Sequence, residues 1–275
     1  MDKNINHNED QHIVHMWEPF NFKPKRGYDY RKIGFFNTLF YFFSRGIVQG
    51  LLNIYNHFVF GMKVQGKKNI KKISKKQGSV VIANHVHILD CTLIASLVGR
   101  MRRIYFTTLE SNFNIPVIRH LVKGLGGVPI PENISGLNEF FHEMQNALID
   151  GDFVCMYPES VLYPYYEGIR DFKSGAFHLA VDTNSPIIPM VITFRKPTGF
   201  YALYKKKPCL TITALEPIEI PKNGEHHEKI IELMNKCHFV MTEAVDNQKF
   251  IPPSRRYCFG LRIRNRSKRG DKNKG

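Results

Sequence analysis

From residue 78 onward, apolar residues fall into short, nearly unbroken runs, and these alternate with longer stretches in which they recur at helical spacing. A short apolar run without strict alternation is the pattern of a strand covered on both faces, as the strands of a parallel sheet are. The runs SVVIA (79–83), RIYFTT (103–108), GVPIP (127–131), FVCMY (153–157), IIPMVITF (187–194) and LTITALEPIEI (210–220) are therefore expected as strands. Helices are expected after Asp90, before Gly124, through LNEFFHEMQNALID (137–150), over GAFHLAVDT (175–183) and over HEKIIELMNKCHFVMTEAV (227–245). Strands and helices in that alternation predict an α/β fold, a mostly parallel or mixed sheet covered by helices.

The segment IGFFNTLFYFFSRGIVQGLLNIYNHFVFG (33–61) breaks the pattern. It is long enough to cross a bilayer, yet Arg45, Gln49, Asn53 and Asn56 recur along it as one polar stripe, which a spanning helix rarely carries. One placement is an amphipathic helix or helical hairpin lying in a membrane interface, apolar face among the acyl chains. The other is a helix packed on the protein's own core. The 21 phenylalanines and the lysines that follow favour the membrane. The expected organisation is a polar arm (1–30), a membrane-associating amphipathic segment (31–62), an α/β catalytic domain (63–250) and a basic tail (251–275).

Charge sharpens this picture. The 275 residues carry a net charge of +15, with lysines crowded between Lys63 and Gly78 and Arg and Lys crowded from Arg255 onward. Such a balance calls for an anionic partner: nucleic acid, an anionic membrane surface or phosphorylated substrates. No aromatic RNA-binding strand or helix-turn-helix signature is visible, so nucleic acid is not expected. The five cysteines are widely spaced and contain no C-x-x-C pair, which argues against a disulfide framework or zinc ribbon and fits a reducing compartment. The opening MDKNINHNED lacks the apolar stretch of a secretory signal peptide.

Ligands of open α/β sheets gather at the carboxyl ends of strands, where two polar clusters stand: NHVHILD (84–90) after SVVIA, and YPES (157–160) at the end of FVCMY. His85, His87 and Asp90 suggest a hydrolytic metal site, but its usual spacing is off by one and no further ligands are evident at comparable strand ends. A proton-transfer pair of His85 and Asp90 is the stronger reading. On a regular helix, side chains five apart point about 140° away from each other. They meet if His85 lies in the strand-to-helix turn and Asp90 enters the first helical turn. Asp90 then accepts the imidazole N–H and leaves the other ring nitrogen as a general base.

These residues resemble the glycerophospholipid acyltransferases of the 1-acyl-glycerol-3-phosphate type, whose hallmark N-H-x-x-x-x-D reads here as Asn84, His85 and Asp90. Three further blocks extend the resemblance. ESNFNIPVIRHLVKGLGGVPIPE (110–132) is similar to the second; YPES (157–160) with FKSGAFHLA (172–180) to the third, F-P-E-G-T-R and K-x-G-A; SPIIPM (185–190) to the fourth. The resemblance implies transfer of a fatty acyl group from a thioester to a glycerol hydroxyl of a lysophospholipid, in phospholipid synthesis or remodelling. His85 would take the hydroxyl proton and Asp90 would orient the imidazole. Asn84, Gly127, Glu159 and Ser160 would border the substrate, Glu159 being alternatively a buried carboxylate capping backbone.

The departures from the family concern phosphate. Ser160 replaces a Gly, Leu162 stands where an Arg often grips phosphate, and Glu132 replaces a common Arg. Arg170 or Lys173 supplies the missing cation if the following loop folds back. No metal or other cofactor is expected, only an acyl-CoA or acyl carrier protein thioester as donor. The expected partners are that donor, a lysophospholipid acceptor and an anionic membrane surface. The expected location is the cytoplasmic face of the cell membrane, peripheral or monotopic. The rival readings are a metal-dependent hydrolase using His85, His87 and Asp90, and a non-enzymatic basic membrane-binding protein.

Overall fold

The computed structural model of the protein describes residues 22–31, 34–99, 102–114, 122–123 and 125–248. The basic tail, the first 21 residues and most of the helix expected before Gly124 lie outside them. Seven strands form one mixed sheet in the order β1-β7-β6-β2-β5-β3-β4. They are β1 (Lys63–Gln65), β2 (Ser79–Ala83), β3 (Ile104–Leu109), β4 (Gly127–Ile130), β5 (Phe153–Met156), β6 (Ile187–Arg195) and β7 (Cys209–Ala214). All neighbours run parallel except β6 and β7, which are antiparallel.

The unbroken apolar runs have the cause expected of them, burial on both faces. Along β2, Val80 and Ile82 enter one core and Val81 and Ala83 the other. The first core is closed by α4 (Ile134–Ile149), α5 (Gly175–Asp182) and α7 (His226–Asp246) through Phe140, Met144, Phe177, Leu233 and Met241. The second is closed by α3 (Asp90–Val98) through Leu93, Ile94 and Leu97. A fully buried Leu, Ile, Phe or Met contributes roughly 1.5–3 kcal/mol.

Three sequence expectations need correction. The strand expected over 210–220 ends at Ala214, and beyond it only Ile218 bridges back to Ile187. β1 and the short α2 (Lys67–Ile70) sit within the lysine-rich segment, where charge hides a three-residue strand. Part of the expected polar arm belongs to the fold: Phe22 stacks on Phe113, and Tyr30 packs on Phe140 in the first core; just after the arm, Arg31 pairs with Asp150.

The segment before β1 is a single helix, α1 (Phe35–Phe60), closed by Gly61 in the left-handed conformation, φ 56°. A Cβ at Gly61 would lie 2.5 Å from the Cys209 sulfur, so glycine is required there for space as well as for backbone. Three of the four stripe residues are turned away from water, and the fourth, Asn53, is exposed with its Oδ1 accepting from Ser96 Oγ. Arg45, Gln49 and Asn56 are buried against α3, while Phe36, Phe40, Phe43, Leu51 and Phe58 on the outer side are exposed. Arg45 donates to the carbonyls of Gly99 (3.0 Å) and Arg102 (2.9 Å), and so places its cation at the carboxyl end of α3, where it opposes the helix dipole. Gln49 donates to Ser96 Oγ (3.0 Å), and Thr92 donates to Asn56 Oδ1 (3.2 Å). The helix is turned inside out relative to a soluble amphipathic helix, polar side on the protein and apolar side out. No described helix is long and apolar enough to cross a membrane.

Candidate active site

β2 ends at Ala83, and the chain turns through residues 84–89 into α3. Asp90, fully buried in the first turn of α3, organises that turn. Its Oδ2 accepts the backbone N–H of Val86 at 2.8 Å and of His87 at 3.0 Å, and lies 3.0 Å from His85 Nδ1. An ionised carboxylate only accepts, so Nδ1 carries the hydrogen and the lone pair is on Nε2. The His85 ring stacks on Tyr157, centroids 4.1 Å apart and planes 19° from parallel. With its side chain 22% exposed, the ring is fixed on two sides and open on a third. The arrangement can take a proton at Nε2 and hold the resulting cation against a carboxylate that water does not reach.

Glu159 comes from the end of β5 and is 3% exposed. Its two oxygens accept the backbone N–H of His85 and of Arg170, both at 3.3 Å. It therefore caps backbone at the junction of two loops, and holds the main chain of His85. Burial pushes its pKa up to about 7, against the pull of those donors and of the nearby His85 and Arg170. With the folded-state value above the unfolded 4.5, the folded protein keeps the proton longer. The resulting stability is fully present below pH 4.5 and is lost as pH rises through about 7. Asp152, pushed up to about 6 by burial, adds a decline of the same sign. Glu159→Gln is expected to flatten the fall of melting temperature across that window relative to wild type; identical pH profiles would contradict the assignment.

The loop after Glu159 folds back over the turn. Tyr163 and Tyr165 donate their backbone N–H groups to the carbonyls of His85 (2.9 Å) and Val86 (3.0 Å), and Lys173 donates to Pro158 (2.8 Å). Ser160, in the family's Gly position, keeps a positive φ of 62°, at a strain of about 1–2 kcal/mol for a residue with a Cβ. The Arg170 guanidinium lies 5.3 Å from the Tyr163 ring centroid, and Lys173 is exposed beside it in sequence. The backbone of Arg170 and of Lys173 thus returns toward the end of β5.

Two expected substrate contacts are turned elsewhere. Asn84 is buried, its amide donating to the Ile192 carbonyl (3.0 Å) and accepting the Ile192 N–H (2.7 Å), which ties the β2 end to β6. Gly127 begins β4, level in register with Val81 and separated from β2 by β5 and β3, and its Cβ position is filled by Val122. His87 packs within its own loop. Its Nδ1 accepts the Leu89 N–H (3.1 Å), and its ring lies edge-on against Phe60 and Tyr165. That arrangement does not support the metal-hydrolase reading, since His85 and Asp90 are engaged with each other and His87 with its neighbours. Among the described residues no three His, Cys, Asp or Glu side chains converge on a metal position. Burial pushes the Cys91 thiol up to about 12, which leaves it unreactive beside the pair.

The sequence reading missed Tyr157 as a partner of His85. The signal is register: β2 pairs with β5 from Ser79↔Phe153 to Ile82↔Met156, so Tyr157 falls beside the end of β2. Strand pairing is invisible in the spacing of one chain.

The family model for Acyltransferase matches residues 61–193. The human 1-acyl-sn-glycerol-3-phosphate acyltransferase beta is 25% identical over 190 residues, 67% of this chain. The chain spans 65% of that relative's length. The crystal structure of the 1-acyl-sn-glycerophosphate (LPA) acyltransferase PlsC from Thermotoga maritima superposes with a TM-score of 0.51, covering 80% of this chain and 97% of that one at 21% identity. It shares the fold.

Proposed function

We propose that the chain is a member of the acyltransferase family whose model matches residues 61–193, and that it moves a fatty acyl group from an acyl thioester to a glycerol hydroxyl of a lysophospholipid, in phospholipid synthesis or remodelling. The observation that carries the reading is the 3.0 Å contact of His85 Nδ1 with buried Asp90 at the carboxyl end of β2. The acceptor oxygen attacks the thioester carbonyl carbon as Nε2 of His85 takes its proton. The C–S bond then breaks and the departing thiolate takes that proton from the imidazolium. Asp90 holds the tautomer and balances the charge, and Glu159 and Tyr157 hold His85 in place. The chemistry needs no cofactor beyond the donor, acyl-CoA or an acyl carrier protein thioester. Arg170 and Lys173 are the cations for an acceptor or donor phosphate. A purely membrane-binding role gives the His85–Asp90 pair nothing to do.

Residues 63–250 form the catalytic domain, and α1 is its seat on an anionic membrane, peripheral or monotopic at the cytoplasmic face. Among the described residues the cysteines (Cys91, Cys155, Cys209 and Cys237) are free, which fits that reducing side. Incubating the intact protein with a labelled acyl thioester and a series of lysophospholipids tests the reaction. An acylated lipid from at least one acceptor is expected, and none from any would sink the reading. The seat has its own test. Replacing Phe40, Phe43 and Leu51 together with Glu removes three large apolar groups from the lipid side. It is expected to weaken vesicle binding at least 100-fold, roughly the effect of losing that burial, with the fold intact. Undiminished sedimentation with vesicles would refute it.

A further inference from the structure

The connection between β6 and β7 is far longer than the two to five residues that join most antiparallel neighbours. Residues 196–208 leave the sheet at the carboxyl end of β6, the edge on which His85 stands, and carry the short helix α6 (Phe200–Tyr204). None of the α6 side chains is buried: Phe200 is 64% exposed and Leu203 82%. Yet the excursion is fixed in place against the end of α1. Tyr204 donates its hydroxyl to the Phe58 carbonyl, the Lys205 ammonium donates to the Val59 carbonyl, and Tyr201 Oη lies 3.1 Å from His57 Nε2. Between the two elements runs an open groove of about 710 Å³ lined by Phe58, Val59, Phe200, Tyr204 and the lysines after them.

Three consecutive lysines, Lys205 to Lys207, border these apolar groups. Lys207 lies 5.9 Å from the Tyr165 ring centroid. His87, whose pKa burial lowers, is lowered further by the charges of Lys207 and Lys205. The basic ridge therefore stands between the exposed aromatics and the site. Exposed Phe, Leu and Tyr followed by Lys is the composition that inserts at a bilayer interface, side-chain stems among the lipids and ammonium groups at the phosphates. A second copy of the chain fits poorly, because a two-fold contact would bring the two lysine ridges together.

We propose that α6 with Lys205–Lys207 is a second bilayer-contacting element, in which Phe200, Leu203 and Tyr204 enter the lipid and the lysines hold phosphates of anionic phospholipids. It continues the outer face of α1 and turns the His85 edge of the sheet toward the membrane. The inference rests on the membrane-bound reading of α1, and its test needs no donor or acceptor.

The intact protein is sedimented with phosphatidylcholine vesicles and with vesicles that also contain phosphatidylglycerol. Lys206→Ala with Lys207→Ala is expected to weaken binding to the anionic vesicles about fivefold per lysine, and to leave neutral vesicles nearly unaffected. Phe200→Glu with Leu203→Glu is expected to weaken binding to both. Wild-type affinities for both variants would overturn the proposal, as would a wild-type chain that binds no vesicle and instead self-associates. A second measurement does not depend on a loss. In a Trp17→Phe background, Leu203→Trp emission is expected to shift blue when anionic vesicles are added. Binding without that shift would mean that α1 docks alone, and would overturn the proposal. A protein that passes these tests but transfers no acyl group would overturn the proposed function and leave this surface standing.

Discussion

His85→Ala is expected to lower kcat for acyl transfer by roughly 10³-fold with KM little changed, the size of a general base removed from its reaction. The asymmetry follows from the role: proton removal matters as the hydroxyl attacks, and much less when the acceptor binds. Asp90→Asn tests the other half of the pair. Asp90 Oδ2 gathers the N–H groups of Val86 and His87 as well as His85 Nδ1. Asparagine can keep its oxygen on all three donors, but it removes the charge that balances the imidazolium and puts an N–H₂ at the buried Oδ1 position, which has no partner. A loss nearly as large as that of His85→Ala is expected, with a melting temperature close to wild type. The double variant is expected to be no slower than His85→Ala alone, since the two side chains act as one unit. Independent, multiplying losses would contradict the pairing.

Arg45→Ala is expected to destabilise the fold by about 3 kcal/mol, on the order of 8 °C in melting temperature for a domain of this size. Arg45 is 1% exposed and satisfies the carbonyls of Gly99 and Arg102 from within the α1–α3 contact. Removing the guanidinium takes a donor from both carbonyls in a half-buried interface and leaves a gap where a fully buried side chain stood; each buried group left unpartnered costs about 1–3 kcal/mol. On the outer side of the same helix, Phe43→Ala is expected to change stability by less than about 0.5 kcal/mol, since Phe43 touches no core. Thermal unfolding of the two variants checks the orientation of α1. Equal effects, or a larger effect at Phe43, would mean that the helix is turned the other way.

That helix marks the boundary of what was legible in the sequence. The stripe Arg45, Gln49, Asn53, Asn56 was readable as a stripe, because period 3.6 is a property of the chain. Which side it faces was not, because the polar-to-water rule presumes water as the surrounding solvent. The central strands were legible because burial on both faces leaves unbroken apolar runs, and SVVIA became β2 with its bounds unchanged. β1 was not, because three residues among lysines carry no such signal. In the site, the turn that lets His85 meet Asp90 could be reasoned from their spacing. The stack of Tyr157 on His85, the cap of Glu159 on the His85 backbone and the burial of the Asn84 amide against Ile192 depend on which strands pair. The distance of Gly127 from His85 has the same cause: its place in a motif does not say that two strands, β5 and β3, stand between β4 and β2. The α6 excursion went unread because a five-residue helix is too short to show a helical period.

Acyl transfer to a lipid hydroxyl is tested most directly by following both products of one reaction. The intact protein is given acyl-CoA and a lysophospholipid in vesicles, and free thiol and acylated lipid are counted together over time. The two are expected to appear in equal amounts, and His85→Ala is expected to slow both together by roughly 10³-fold. Thiol released with free fatty acid and no acylated lipid, from any acceptor offered, would contradict that transfer.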